Sequence, residues 1–191
     1  MTGPVFCTAF TADRLLAAGP LPNVALAVKA ALAADPAQRI LVFDDASGAP
    51  IDFDLRGSDA EIAARLAPAE AKEVEPRGRG RPKLGVVARE ITLLPRHWEW
   101  LGAQPGGASQ ALRRLIDQAR KADEGRTEAR ARRDAAYRFM SAMAGNLPGF
   151  EEAARAFFAD DTARFEQHSA AWPLDIRTHL RKLVQRQESS D

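Results

Sequence analysis

The chain has 191 residues, 46% of them hydrophobic, 28% charged, and a formal net charge of +1, which is enough apolar material for one substantial domain or two small ones. A single cysteine, Cys7, excludes an intramolecular disulfide and a thiolate metal cluster and fits a reducing cytoplasm. Asp13 and Arg14 interrupt the first hydrophobic stretch, and no apolar run reaches membrane-spanning length, so neither secretion nor membrane insertion is expected.

Val5 to Leu16 is mixed apolar and Thr-rich, a strand or hairpin, and Gly19-Pro20-Leu21-Pro22 punctuates it. Asn23 is placed to cap a helix running to Ala34, where Val24, Leu26, Ala27, Val28, Ala31 and Leu32 recur at helical spacing before Asp35-Pro36 ends it. Arg39 to Asp44 is a buried strand, Ser47-Gly48 a turn, and Ile51 to Leu55 alternates as the return strand of a hairpin. Ser58 caps a short helix through Leu66. Residues 1–67 thus form a small α+β domain in the order strand, helix, hairpin, helix.

Residues 68–85 contain Pro68, Pro76, Pro82 and three glycines without apolar periodicity, a flexible linker. Val86 to Leu93 reads as a strand, Pro95 to Ala103 as a helix, and Gly106-Gly107 as a break before a second helix from Ser109. The charged run Arg120 to Arg133 continues that helix. Asp134 to Ala144, Pro148 to Ala159, Asp161 to Ala171 and Pro173 to Gln185 then form a C-terminal helical bundle.

The small net charge conceals a lopsided distribution. Pro76 to Arg133 holds fourteen basic residues against six acids, net +8, which leaves −7 for the rest. Such a segment attracts polyanions; its plainer reading is a solvated, Arg-rich helical surface.

Arg77-Gly78-Arg79-Gly80-Arg81-Pro82-Lys83 resembles an AT-hook, whose core is Gly-Arg-Pro between basic residues. Glycines let an extended backbone lie deep in a narrow groove, where arginines meet the enhanced negative potential of A·T-rich DNA. The resemblance implies that Arg79 and Arg81 enter the minor groove and that Arg77 and Lys83 touch phosphates. A plain basic tether for RNA or an acidic protein is the alternative.

Arg89 to Leu101, followed by Gly106 to Ile116, is similar to the ribbon-helix-helix family in its order of strand, proline, helix, glycine turn, helix. The resemblance implies an obligate homodimer whose paired strands enter the major groove. On that mapping Ile91, Leu93, Trp98, Leu101, Ala111, Leu112, Leu115 and Ile116 close the dimer core, while Ala88, Glu90 and Thr92 face the groove. Ser109 would cap the second helix beside a phosphate, with Arg96 and Arg113 adding phosphate contacts. Alanine, an acid and threonine are poor base readers, so dimerisation is the firmer role of this unit and the arm the better source of DNA affinity. Otherwise, the stretch is an ordinary strand-helix-helix piece of a larger core.

The phrases Gly80-Arg81-Pro82-Lys83-Leu84-Gly85-Val86 and Leu94-Pro95-Arg96-His97-Trp98-Glu99-Trp100-Leu101 resemble those of an uncharacterised bacterial family, over nearly the full length.

Enzymatic chemistry has one candidate, the carboxylates Asp44, Asp45, Asp52 and Asp54, which could hold a hard cation for phosphoryl transfer; turn and solvent-face roles are the simpler reading. His97, His168 and His179 lack metal-ligand spacing and read as surface or packing residues, and Cys7 as buried. The expectation is a cytoplasmic, non-enzymatic, dimeric DNA-binding regulator or nucleoid-associated protein without cofactor, binding A·T-rich DNA. A dimeric adaptor for RNA or an acidic protein is the second hypothesis, and the carboxylate-metal enzyme the third. Its architecture is α+β: the small domain, the basic linker 68–85, a ribbon-helix-helix-like unit at 86–120, and a charged helix with the helical bundle at 121–191.

Overall fold

A computed structural model describes residues 5–67 and 89–185. Three antiparallel strands, β1 (Phe6–Thr11), β2 (Arg14–Pro20) and β3 (Ile40–Asp44), form a sheet in the order β2-β1-β3. Around them lie α1 (Leu21–Ala34), α2 (Asp59–Leu66), α5 (Arg126–Ala144), α6 (Phe150–Phe158), α7 (Thr162–Ser169) and α8 (Leu174–Gln185). Two further helices, α3 (Pro95–Gly102) and α4 (Gly107–Asp123), belong to a separate compact unit.

Both faces of β1 are covered. Cys7, Ala9, Val24, Val28 and Val42 make one buried cluster, between the sheet and α1. Phe10 and Phe43 enter a second with Phe139, Met140, Trp172, Ile176, Leu180 and Leu183 from the C-terminal helices. Because side chains alternate along a strand, Cys7 and Ala9 serve one cluster and Phe10 the other, and Thr8, on the face of Phe10, is buried with its hydroxyl donating to Asp45. The second cluster draws on both ends of the chain. Residues 1–70 and 128–191 are one unit sharing a core, and residues 71–127 are the other.

Several local expectations hold. Val5 to Leu16, open between strand and hairpin in the sequence, is the β1-β2 hairpin with its second strand running on to Pro20, and α2 and the four C-terminal helices form close to their expected places. Ser58 accepts from the Glu61 backbone N–H while the Glu61 carboxylate accepts from the Ser58 N–H at 2.7 Å, a reciprocal cap at the start of α2. Lys29 then ties α1 to α2 by donating to the Gly57 carbonyl and to Asp59, at 2.7 and 2.8 Å. Gly48 takes the left-handed conformation at φ +66°, and a Cβ there would lie 2.0 Å from the Ala135 carbonyl oxygen, so the turn after β3 docks on α5 only as glycine.

Other expectations do not. Ile51 to Leu55 forms no strand; β3 pairs with β1, and beside it the chain makes one isolated bridge, Phe43 with Pro50 just before the expected partner, and an Ile51 N–H bond to the Val42 carbonyl at 2.8 Å. Its alternation is nonetheless real, since Ile51, Phe53 and Leu55 pack on the first cluster while Asp52 and Asp54 are exposed, as an extended segment allows without a ladder. Helix α1 starts at Leu21 on Pro20, so Asn23 lies inside it and is no cap, and Pro22 sits in the first turn where a missing N–H costs nothing. Helix α4 stops at Asp123, because Glu124 and Gly125 turn left-handed, and α5 starts afresh at Arg126, with Asp123 accepting from the Thr127 N–H and hydroxyl.

Candidate nucleic-acid interface

The basic arm Arg77, Arg79, Arg81, Lys83 lies outside the described residues, as does Ala88. Beyond it, Arg89 to Leu94 forms no strand, contrary to the expected ribbon. A strand is defined by its ladder, and among the described residues this segment has no ladder partner. Glu90, Ile91 and Thr92 are exposed and Leu93 is half-buried.

Helix α3 begins with Pro95 in its first turn, where proline's fixed φ favours initiation. Arg96 is exposed. Among the described residues of this unit only Leu101 and Ala111 are buried side chains, one on each helix. Gln104 links the helices, donating toward the Trp100 carbonyl and accepting from Arg114, both at 3.4 Å. Ser109 does not cap α4. The cap is Gly106, left-handed at φ +81°, and Ser109 is exposed within the first turn. Glycine replaces the expected serine because the tight turn from Gln104 needs a positive φ at that position.

The sequence-selected dimer residues divide. Leu101 and Ala111 are buried and Leu93 and Leu112 half-buried, whereas Ile91, Trp98, Leu115 and Ile116 are each 38–56% exposed, as are Leu94 and Trp100, which the sequence reading did not select. On α4, Leu112, Leu115, Ala119 and Ala122 follow three- and four-residue steps along one stripe, and Arg113, Asp117 and Arg120 fall on the other side. The helix is therefore amphipathic beyond what α3 covers, with an apolar stripe and a basic face.

The acidic quartet is occupied structurally. Asp44 accepts from the Ala46 and Ser47 N–H groups and the Ser47 hydroxyl; Asp54 pairs with Arg56 and Arg65, which hold its carboxyl well below the usual range. Asp52 is exposed, and among the described residues no group of three metal-ligating side chains gathers.

Asp45 was not separable from a turn acid by sequence, yet it is buried, accepting from the Thr8 hydroxyl at 2.7 Å with Lys182 at 3.7 Å. Near it His179 is 5% exposed, its ring 4.5 Å from that of Phe139 and 5.5 Å from that of Phe10, with Nε2 buried and unpartnered. Burial pushes the His179 pKa down to about 4; the Asp45 charge opposes that shift and Lys182 reinforces it. His179 is a core histidine, a role its spacing with Ile176, Leu180 and Leu183 on one face of α8 already signals. Cys7 is fully buried, and burial with the nearby Asp45 and Asp44 charges pushes its thiol up to about 11, leaving no nucleophile at neutral pH.

No helix among the described residues is long and apolar enough to cross a membrane. A family model described as "Uncharacterized protein conserved in bacteria (DUF2239)" matches residues 6–184. No curated protein and no solved structure matches the chain.

Proposed function

We propose that this chain, which belongs to the DUF2239 family of proteins conserved in bacteria, is a non-enzymatic, cytoplasmic DNA-binding regulator or nucleoid-associated protein. It dimerises through α3 and α4 and contacts A·T-rich DNA through the arm Arg77 to Lys83. The observation that carries this reading is the exposed apolar set Ile91, Leu94, Trp98, Trp100, Leu115 and Ile116 on a unit whose described residues bury only Leu101 and Ala111. A unit of that size with so little core gains stability by burying the remainder against a partner, and a concentration of large apolar side chains at the surface marks an interaction face.

A second copy is the partner best matched to it. An isologous contact places the stripe of one α4 against its own equivalent, and it brings two Arg89 to Leu93 segments together, each able to supply the ladder that the other lacks. Dimerisation also doubles the basic arm, and two weak groove contacts on one duplex bind far more tightly than one. Glu90 and Thr92 carry no positive charge, so affinity resides in the arm and in Arg96 and Arg113 at phosphates, giving shape-based A·T preference rather than strict operator reading.

Light scattering on the eluting protein, together with gel shifts on A·T-rich DNA, G·C-rich DNA and RNA, tests the proposal. A dimer that prefers A·T-rich duplex, and whose binding and salt slope both fall in Arg79→Ala with Arg81→Ala, is expected. A monomer excludes the dimer role, and unchanged binding in the double variant excludes the arm. Preference for RNA makes the protein an adaptor of the kind that competes with this reading.

A further inference from the structure

A separate site lies within the unit of residues 1–70 and 128–191. Helices α5, α6, α7 and α8 leave a cleft of about 350 Å³ between them, within the size range of small-molecule sites. Its floor is apolar, made by Ala156, Phe157, Phe165 and Leu180, and its exposed rim carries Val184 with the guanidiniums of Arg133 and Arg181.

The rim's hydrogen bonding is asymmetric. Its acids are engaged: Glu166 accepts from Arg181 Nε and Nη2 at 2.7–3.0 Å, Asp160 accepts from Arg133 Nη2, and Asp161 accepts from the Arg164 N–H at 3.0 Å as the cap of α7. The Arg181 contact holds the Glu166 carboxyl below its usual range, so that acid remains charged and paired. A guanidinium carries five N–H donors in a fixed fork, more than Arg133 and Arg181 direct at their carboxylates in these pairs. The cleft thus has donor capacity to spare at its edge and apolar surface beneath.

We propose that this cleft binds a small amphipathic monocarboxylate, with its hydrocarbon or aromatic body on Phe157, Phe165 and Leu180 and its carboxylate at Arg133 and Arg181. An acceptor-only head group meets the available donors, whereas an ammonium would compete for carboxylates already engaged, and an alcohol would accept fewer charge-assisted bonds. The site stands independently of DNA binding and of dimerisation.

Calorimetric titration of the full chain with octanoate, octanol and octylamine, matched in their apolar body, tests it. Octanoate is expected to saturate at one molecule per chain, at least about tenfold more tightly than either analogue, or about 1.4 kcal/mol. Arg133→Gln and Arg181→Gln each bring octanoate toward the affinity of octanol without changing octanol itself. Asp160→Asn, a change at an exposed side chain, releases the Arg133 fork and tightens octanoate binding. Equal affinity for the three compounds, no saturable binding at millimolar octanoate, or indifference to all three substitutions overturns the proposal. So does binding abolished by Trp98→Ala with Leu115→Ser while the cleft variants bind normally, because it places the ligand on the other apolar surface.

Discussion

The two units use their large apolar side chains in opposite ways. In residues 1–70 with 128–191, a three-stranded sheet receives α1 on one face and α5 with α8 on the other, and Phe10, Phe43, Phe139, Met140 and Ile176 become fully buried. Among the described residues of 71–127, only Leu101 and Ala111 are buried, and Ile91, Leu94, Trp98, Trp100, Leu115 and Ile116 stay 38–56% exposed. A sheet has two broad faces and can be covered from both within one chain, while a pair of amphipathic helices covers one stripe of each. The first unit therefore closes a core, and the second leaves an apolar face open among its described residues.

That contrast can be broken by removing apolar side chains from each side of it. Phe139→Ala, at the centre of the aromatic cluster with Phe10 and Phe43, is expected to destabilise the chain by about 3–5 kcal/mol in denaturant unfolding. Trp98→Ala, an even larger truncation, is expected to leave that transition nearly unchanged because Trp98 is half-exposed.

Acid sharpens the same comparison. The His179 pKa is about 4 in the folded chain against 6.5 for an unperturbed histidine, so the unfolded state takes up the proton first. Stability is fullest above pH 6.5, falls as pH drops from there, and stops falling on this account below about 4. The whole gap corresponds to a loss on the order of 3 kcal/mol. Unfolding midpoints measured across that window should decline for the native chain and decline less for His179→Leu; parallel curves would remove His179 as the cause. The half-exposed second unit contains no buried histidine to confer such a dependence among its described residues.

Leu115→Ser with Ile116→Ser tests the unfinished side directly. Dimer dissociation is expected to rise at least about tenfold, about 1.4 kcal/mol, with the unfolding of the first unit unaffected. A dimer of unchanged affinity would mean that the α4 stripe is not the contact. The smallest effect is local: Ser58→Ala removes one half of the cap on α2 and should cost about 1 kcal/mol.

Local chemistry determined much of this protein from its sequence. Helices, the serine cap, the Ser47-Gly48 turn and the first hairpin follow from periodicity and turn residues acting over a few positions. The basic segment and the apolar residues of α3 and α4 were equally readable, because composition and spacing on one helix need no distant partner. Only the tertiary structure decided which strand pairs with β3, that residues from both ends of the chain share a core, and that Asp45 and His179 are buried close together. Each of those depends on contacts between residues far apart in the chain, where an alternating segment such as Ile51 to Leu55 satisfies the same pattern with or without a ladder. The cleft of α5 to α8 belongs to this second class, since its floor and its guanidiniums come from helices that sequence spacing alone does not bring together.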